Sequence, residues 1–529
     1  MTAVAIFRLV RTPFDRLFDA LLDPVRSNRA VLVLLTGYAT TWTLYGSIVH
    51  SSQDLHPDMT ELIAWSRDLS LGYLKHPPLA AWLLRVWLAI VPLTDLSCYL
   101  LAMLMPTIAL WVGWQFSADY LERDKRILGL ALLMLVPFYN FLALKFNANT
   151  ILLPTWAATT FWFLRSYRTQ SILYSALAGI GAASCLLGKY WSMFLIAGLF
   201  VAALVDSRRS AYFRSAAPLI TVAIGFAVLA PHMVWLYQHD FAPLEYAFAR
   251  HTANSFAGVT GHALAYLAGS FAYAAAPIIL VLAMARPNPK IISEMMWPSD
   301  GERRTPAVIF WAPLLLPVVG ALVEHINVAS LWSMPGWSLL PILLLSPPAV
   351  KIRKIDVRRI LAFAVALPLV MVLTAPVIAV VIHYAGVSPS EAHARLLASE
   401  TEKAWHQVTA QPLRFVGCNL ANDAVAYAPE LPHSLPARSF HGEIGDQVYA
   451  EIYNWPHSPD EAASVDAQLT QSGMALVCRD DEPNWVHVAA EWAARDPFSR
   501  RIEIDIARYF LGIRGRPQHY VIFIIPPQH

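Results

Sequence analysis

Long apolar runs separated by short polar loops fill the first 384 residues of the chain. A helix that crosses a bilayer needs about 20 mostly apolar residues, since a rise of about 1.5 Å per residue must cover a hydrocarbon core of about 30 Å. Runs of this kind fall near residues 30–49, 98–118, 127–144, 150–164, 172–188, 190–205, 216–236, 260–285, 306–323, 331–349 and 358–383, which makes about eleven spans. The run 79–93 (LAAWLLRVWLAIVPL) is shorter and carries Arg85, so it predicts a helix lying in or near the interface. Beyond 384 the pattern changes. β-rich segments (LRFVGCN, GMALVC, RIEIDI, HYVIFIIPP) alternate with helix-like ones (SEAHARLLASETEKAWHQV, DEAASVDAQLTQSG, VHVAAEWAARD), which predicts one compact α/β domain over 385–529.

Charge orients this arrangement. Basic residues fill alternate loops: Arg123, Lys125 and Arg126; Arg165 and Arg168; Arg208, Arg209 and Arg214; Arg286, Lys290, Arg303 and Arg304; and Lys351, Arg353, Lys354, Arg358 and Arg359. Lys and Arg concentrate on the cytoplasmic side of membrane proteins, and one missed or invented span would break the alternation. Residues 1–29 set Arg8, Arg11, Arg16, Arg26 and Arg29 against Phe7, Phe14, Leu17, Leu21 and Leu22 at helical spacing, which predicts a cytoplasmic amphipathic segment rather than a cleavable signal peptide. The expected organisation is therefore a cytoplasmic segment 1–29, a transmembrane domain 30–384 and an outer, periplasmic domain 385–529.

Composition agrees with a membrane protein. Hydrophobic residues make up 57% of the 529 and charged ones 14%, with a mean hydropathy of +0.46; a soluble chain carries about 25% charged residues. The net charge of +2 conceals signs sorted along the chain, and nothing suggests a nucleic-acid partner. Cys98 and Cys185 lie inside apolar runs as core thiols. Cys418 and Cys478 each end a predicted strand, as a disulfide pair or as two buried thiols. No Cys and His spacing suggests a zinc site.

The chemically equipped residues sit in the outer loops. In HPDMTELIAWSRDLSLGYLKHPPLAAWLLRVW, Asp58, Glu61, Trp65 and Asp68 share one helix face, either as a reactive rim or as the wet side of an interfacial helix. Lys75 and His76 precede Pro77-Pro78 and an apolar helix, whose N-terminal N–H groups and positive dipole end suit a phosphate. The bland reading is a helix start with a snorkelling Lys. Lys189, between closely spaced spans, either anchors the interface or supplies a second positive charge. His239, Asp240, Arg250 and His251 lie among Trp235, Tyr237, Phe241, Tyr246 and Phe248, as a lid, a sugar-stacking surface or ordinary loop polarity.

Asp58 to Trp82, with GY-x-x-HPPL-x-x-W, resembles the first periplasmic loop of the polyprenyl-phosphate-sugar-dependent glycosyltransferases of the GT-C fold. More closely it is similar to bacterial glycosyltransferase family 39, which includes aminoarabinose and galacturonic acid transferases acting on lipid A and lipopolysaccharide core. The likeness continues through FYNFLALKFNANTILLPTWA, LLGKYWSMFLIAGL, APHMVWLYQHDFAP and SLWSMPGWSLLPILLL, which contains Trp332. The resemblance implies a polytopic α-helical GT-C-like protein with a soluble α/β tail. It implies Asp58 as catalytic base, and His76, with Lys75 beside it, and Lys189 on the donor phosphate; Glu61 beside Asp58, Arg250 on the phosphate and Asn149, His239, Asp240 and Trp332 toward the substrates complete the candidate set. Met59 stands where the family has Glu, and Asn149 replaces a second acidic residue. These departures weaken the carry-over of a metal role and leave a divalent cation open as a cofactor.

The implied reaction is inverting transfer of a sugar from a polyprenyl phosphate to a lipid or glycan, lipid A or lipopolysaccharide core being favoured, at the outer face of the inner membrane. Its partners are the donor lipid, the acceptor and the surrounding membrane lipids. The alternative is a transporter or flippase of lipid-linked sugars. Such proteins place ionisable residues near the bilayer midplane, in broken helices and internal repeats. No repeat is visible here, and most ionisable residues lie at span ends.

Overall fold

The computed structural model describes residues 12–67, 69–73, 75–252, 255–387, 393–411, 413, 416–417, 471–481 and 483–528. It is mostly helical. Among the described residues, Ser27–Val49, Asp95–Ser117, Ala217–Gln238, Gly301–Glu324 and Lys354–Ala385 are long and apolar enough to cross a membrane. Arg123–Met134 with Pro137–Ala143, bent by 79°, and Phe256–Tyr273 with Ala275–Ala285, bent by 59°, raise the number to as many as 7. The first bend falls just before Pro137, which lacks an N–H and pushes its predecessor out of helical geometry. The other expected spans fall on Leu152–Thr169 and on the shorter apolar helices Ile172–Gly188, Tyr190–Val205 and Ser330–Leu345. Leu79–Leu88 has 10 residues, so it reaches about 15 Å and does not cross a 30 Å core. At the N-terminus, Pro13–Leu22 is a helix started by Thr12, whose hydroxyl accepts the Asp15 N–H while the Asp15 carboxylate accepts the Thr12 N–H.

The chain divides into two compact units. The first holds residues 1–45, 99–230 and 251–373. There Leu152–Thr169 and Ile172–Gly188 pack as neighbours through small and hydroxylated residues: Ser166 and Ser175 hydroxyls lie 2.8 Å apart, and Thr221 donates to the Ser175 carbonyl at 3.0 Å. Four of the loops expected on the cytoplasmic side meet in one network. Arg168 and Arg208 both reach Glu302 (3.3 and 2.5 Å), while Arg165 and Arg168 hold Asp119 at 3.0 and 3.1 Å. Asp206 lies in this network with its side chain 2% exposed. Burial pushes its carboxyl up, but hydrogen bonds from Arg208 and Thr305 outweigh that and bring it down to about 2.

The second unit holds residues 46–98, 231–250 and 374–529. Its sheet joins β1 (Val416–Gly417), β2 (Met474–Arg479), β3 (Arg500–Ile506) and β6 (Gln518–Ile525) in the order β1-β2-β6-β3, while β4 (Tyr509–Phe510) and β5 (Ile513–Arg514) form a hairpin. β6 is antiparallel to both neighbours, with Leu476 opposite Phe523 and Ile504 opposite Tyr520. Alternation along the strands gives the sheet two apolar faces. Met474, Leu476, Cys478, Val521, Phe523 and Ile525 pack with Ala489 and Ala493 of helix Pro483–Ala493. Helix Ala394–His406 packs on the same strands, with Leu397, Ala404 and Trp405 buried. The helix-like segment around 460–470 and Cys418 lie outside the described residues; Cys478 is disulfide-bonded, and Cys98 and Cys185 are buried thiols.

Candidate functional site

In the second unit the first outer loop folds as helix Pro57–Arg67, a connector, and helix Leu79–Leu88. Asp58 lies in the first turn of its helix, where a carboxylate is favoured by the dipole. Its N–H donates to His56 Nδ1 at 3.1 Å, and that nitrogen lies 3.6 Å from the Asp58 carboxylate. Both side chains are more than a third exposed, at 36% and 40%, so Asp58 is open to a reactant. Glu61, one turn on, accepts from Lys75 Nζ at 2.9 Å. These two side chains are only 13% and 16% exposed, so the pair is largely withdrawn from water.

The helix's expected wet face is corrected by this geometry. Trp65 is fully buried, stacked on Tyr73 with ring centres 4.8 Å apart and planes 7° from parallel. Tyr73 donates its hydroxyl to the Trp65 carbonyl at 2.9 Å and its N–H to the His76 carbonyl at 3.1 Å. His76 meets Trp65 edge-on at 6.1 Å. Apolar burial drives this side of the helix inward, and Glu61 follows because Lys75 awaits it there. Asp68 is outside the described residues. Pro77 and Pro78 precede the helix rather than occupying its first turn, which begins at Leu79.

The same unit contributes the end of helix Ala217–Gln238. His232 Nδ1 bonds the Leu71 carbonyl at 2.7 Å. Trp235 stands between His232 and His239, stacked at 6.0 and 4.1 Å. A Cβ on Gly72 would lie 2.3 Å from the Trp235 ring, so only glycine allows this approach. His239 Nδ1 bonds the Trp235 carbonyl at 2.7 Å, which fixes the ring. The expected open loop is half helical: Ala242–His251 forms a helix after a tight turn with Asp240 and Phe241 at φ of 49° and 56°. Asp240 is exposed, and Arg250 lies in this helix with its side chain outside the described residues.

A second cluster lies in the first unit. Lys189 is extended between helix Ile172–Gly188 and the turn Tyr190–Ser192. Its ammonium donates to Asn149 Oδ1 at 2.8 Å and sits 5.0 Å above the Trp332 ring. Trp332 is edge-on to Trp191 at 5.0 Å and to His251 at 4.9 Å. The Trp191 indole N–H and the Tyr266 hydroxyl are buried beside them without a hydrogen-bond partner among the described residues. Asn147 holds the Asn149 turn by accepting the N–H groups of Asn149 (2.9 Å) and Thr150 (3.0 Å).

His56, Tyr73, Trp191 and Tyr266 were not singled out by sequence; only the HPD triplet hinted at the first. A divalent cation does not fit the donor set. The Asn149 oxygen already accepts from a cation, and no trio of His, Cys, Asp or Glu converges among the described residues.

Comparison with known proteins agrees with the loop's resemblance. Residues 75–235 match the dolichyl-phosphate-mannose-protein mannosyltransferase family. The chain is 28% identical over 309 residues to lipopolysaccharide core galacturonosyltransferase RgtB of Rhizobium johnstonii, covering 55% of this chain and 60% of that protein. It is 25% identical over 225 residues to lipid A galacturonosyltransferase RgtD of the same organism, covering 40% and 45%. The chain thus spans less than two thirds of the length of either relative. The crystal structures of ArnT from Cupriavidus metallidurans bound to undecaprenyl phosphate and in the apo state share the fold, with TM-scores of 0.58 and 0.57 at 11% and 10% identity, covering 93% of this chain and 97% of each. The chain is thus similar to the family 39-type GT-C glycosyltransferases and shares the fold of ArnT, as a multi-pass membrane protein.

Proposed function

We propose that the protein transfers a sugar from a polyprenyl-phosphate donor to a hydroxyl of lipid A or lipopolysaccharide core at the periplasmic face of the inner membrane, with inversion. The observation that carries this reading is Asp58, exposed at a helix start beside His56, one helical turn from a withdrawn Glu61–Lys75 pair. The acceptor oxygen attacks the anomeric carbon while its proton passes to the Asp58 carboxylate. The bond from that carbon to the phosphate oxygen breaks, and the polyprenyl phosphate leaves with the electron pair. Positive charge aimed at that phosphate lowers the barrier. Lys75, held by Glu61, and His76 supply it in this loop, with Arg250 as a further candidate. The Lys189–Asn149–Trp332 cluster offers a cation and ring faces suited to a sugar phosphate; His239 and Asp240 are the further substrate-facing candidates. The names of the galacturonosyltransferase relatives support an acidic sugar and a lipopolysaccharide acceptor.

This reading takes eleven spans: the seven described above plus Leu152–Thr169, Ile172–Gly188, Tyr190–Val205 and Ser330–Leu345. Residues 1–29 are then cytoplasmic, 30–384 form the membrane domain and 385–529 are periplasmic. The test is transfer by the purified chain in nanodiscs, with products weighed by mass spectrometry. Asp58→Asn is expected to lower turnover by about 10²–10⁴-fold, the usual worth of a general base, at unchanged thermal stability. Full activity in that variant, or donor movement across liposomes without transfer, would overturn the assignment.

A further inference from the structure

The second unit contains a cavity of about 330 Å³ that the transfer reaction does not use. Ser52, His383, His393, Arg508, Arg516 and Gln518 line it. Their charges can be followed pair by pair. Arg508 is neutralised by Asp54, whose side chain is fully buried. Arg516 pairs with no carboxylate among the described residues, and its stem crosses Gly386, where a Cβ would lie 3.2 Å from Arg516 Cδ. Gly386 has a φ of 100°, so the backbone that lets Arg516 pass favours glycine. Among the described residues, one cation without a carboxylate partner therefore faces the cavity.

The neutral groups are oriented too. Tyr520 gives its only hydroxyl proton to Gln518 Oε1 at 2.9 Å, so its oxygen accepts from His393 Nδ1, 3.3 Å away. With its oxygen engaged, Gln518 has its amide N–H groups left to donate. His393 is buried, and burial followed by the Arg508 charge holds it below its ordinary value, so the ring is neutral and its second nitrogen is an acceptor. Ser52 gives its proton to the Ala379 carbonyl at 3.1 Å and keeps its lone pairs. His383 Nε2 bonds the Ile513 carbonyl at 2.9 Å. The lining thus combines one free positive charge and amide donors with hydroxyl and imidazole acceptors. A bare anion uses only donors, and a neutral sugar leaves Arg516 without a counter-charge.

We propose that this cavity binds an acidic monosaccharide unit, its oxyanion on Arg516 and Gln518 and its hydroxyls on Ser52 and His393. The binding does not depend on the transfer reaction proposed above. The oxyanion is a carboxylate or a phosphate ester, and the test separates the two. Titration calorimetry on the full chain in detergent would use glucuronate, glucose 6-phosphate, glucose and inorganic phosphate. One of the first two is expected to bind at least about tenfold more tightly than glucose, and the better one names the oxyanion. Arg516→Gln is expected to weaken that ligand at least about tenfold without a change in Tm, because Arg516 is exposed and unpaired, and Arg516→Lys to restore most of the affinity. Equal binding of glucose, inorganic phosphate binding as tightly as the charged sugars, no binding at all, or an unchanged Arg516→Gln variant would each overturn the proposal.

Discussion

Asp58 and Lys75 illustrate how a functional residue is read at the scale of one side chain. Both were visible from residue type and position, but their partners were not. Lys75 meets Glu61 across 14 residues, and Lys189 meets Asn149 across 40, separations that local spacing does not encode. The Glu61–Lys75 pair makes a sharp prediction. Glu61→Gln removes a counter-charge from the largely buried Lys75 ammonium and should cost about 1–3 kcal/mol. Lys75→Met should raise KM for the donor lipid more than it lowers kcat, as a phosphate contact shared by ground and transition states would. A double-mutant cycle on thermal stability should return a coupling of about 0.5–3 kcal/mol, and simple additivity would mean the pair does not form.

At the scale of elements, the apolar pattern was legible because helix length must match membrane thickness. Every expected run coincides with a helix, whereas the bends at Pro137 and Ala274 left no trace in hydropathy. Helix Ala242–His251 escaped notice because its aromatic and polar residues mix without an apolar stripe. Two element-level outcomes follow. Gly72→Ala would force a Cβ into the Trp235 ring, and such overpacking typically costs about 1–3 kcal/mol; a lower Tm with reduced transfer is expected. Asp206 has a folded pKa of about 2 against an ordinary 3.8, so its stabilising contribution is present above about pH 4 and is lost as pH falls toward 2. Tm curves of the parent chain and Asp206→Asn should therefore be furthest apart near neutrality and converge on acidification.

For the whole molecule, strands β1, β2, β3 and β6 and helices Ala394–His406 and Pro483–Ala493 lie where the alternation placed them, whereas the β4–β5 hairpin was not expected. The sequence did not foresee that residues 46–98 and 374–529 fall in one compact unit, since Asp54 and Arg508 are 454 residues apart. Arg508→Met would take a counter-charge from the buried Asp54 carboxylate, a loss of stability that thermal denaturation can measure. The pairing also orders events during biosynthesis. The segment carrying Asp54 leaves the ribosome 454 residues before its counter-charge. On the proposed topology, until residue 508 has been translated and moved across the membrane, the stretch leading to Asp58 lacks a contact that helps it settle, so a nascent chain halted before that point should be inactive even with every span inserted.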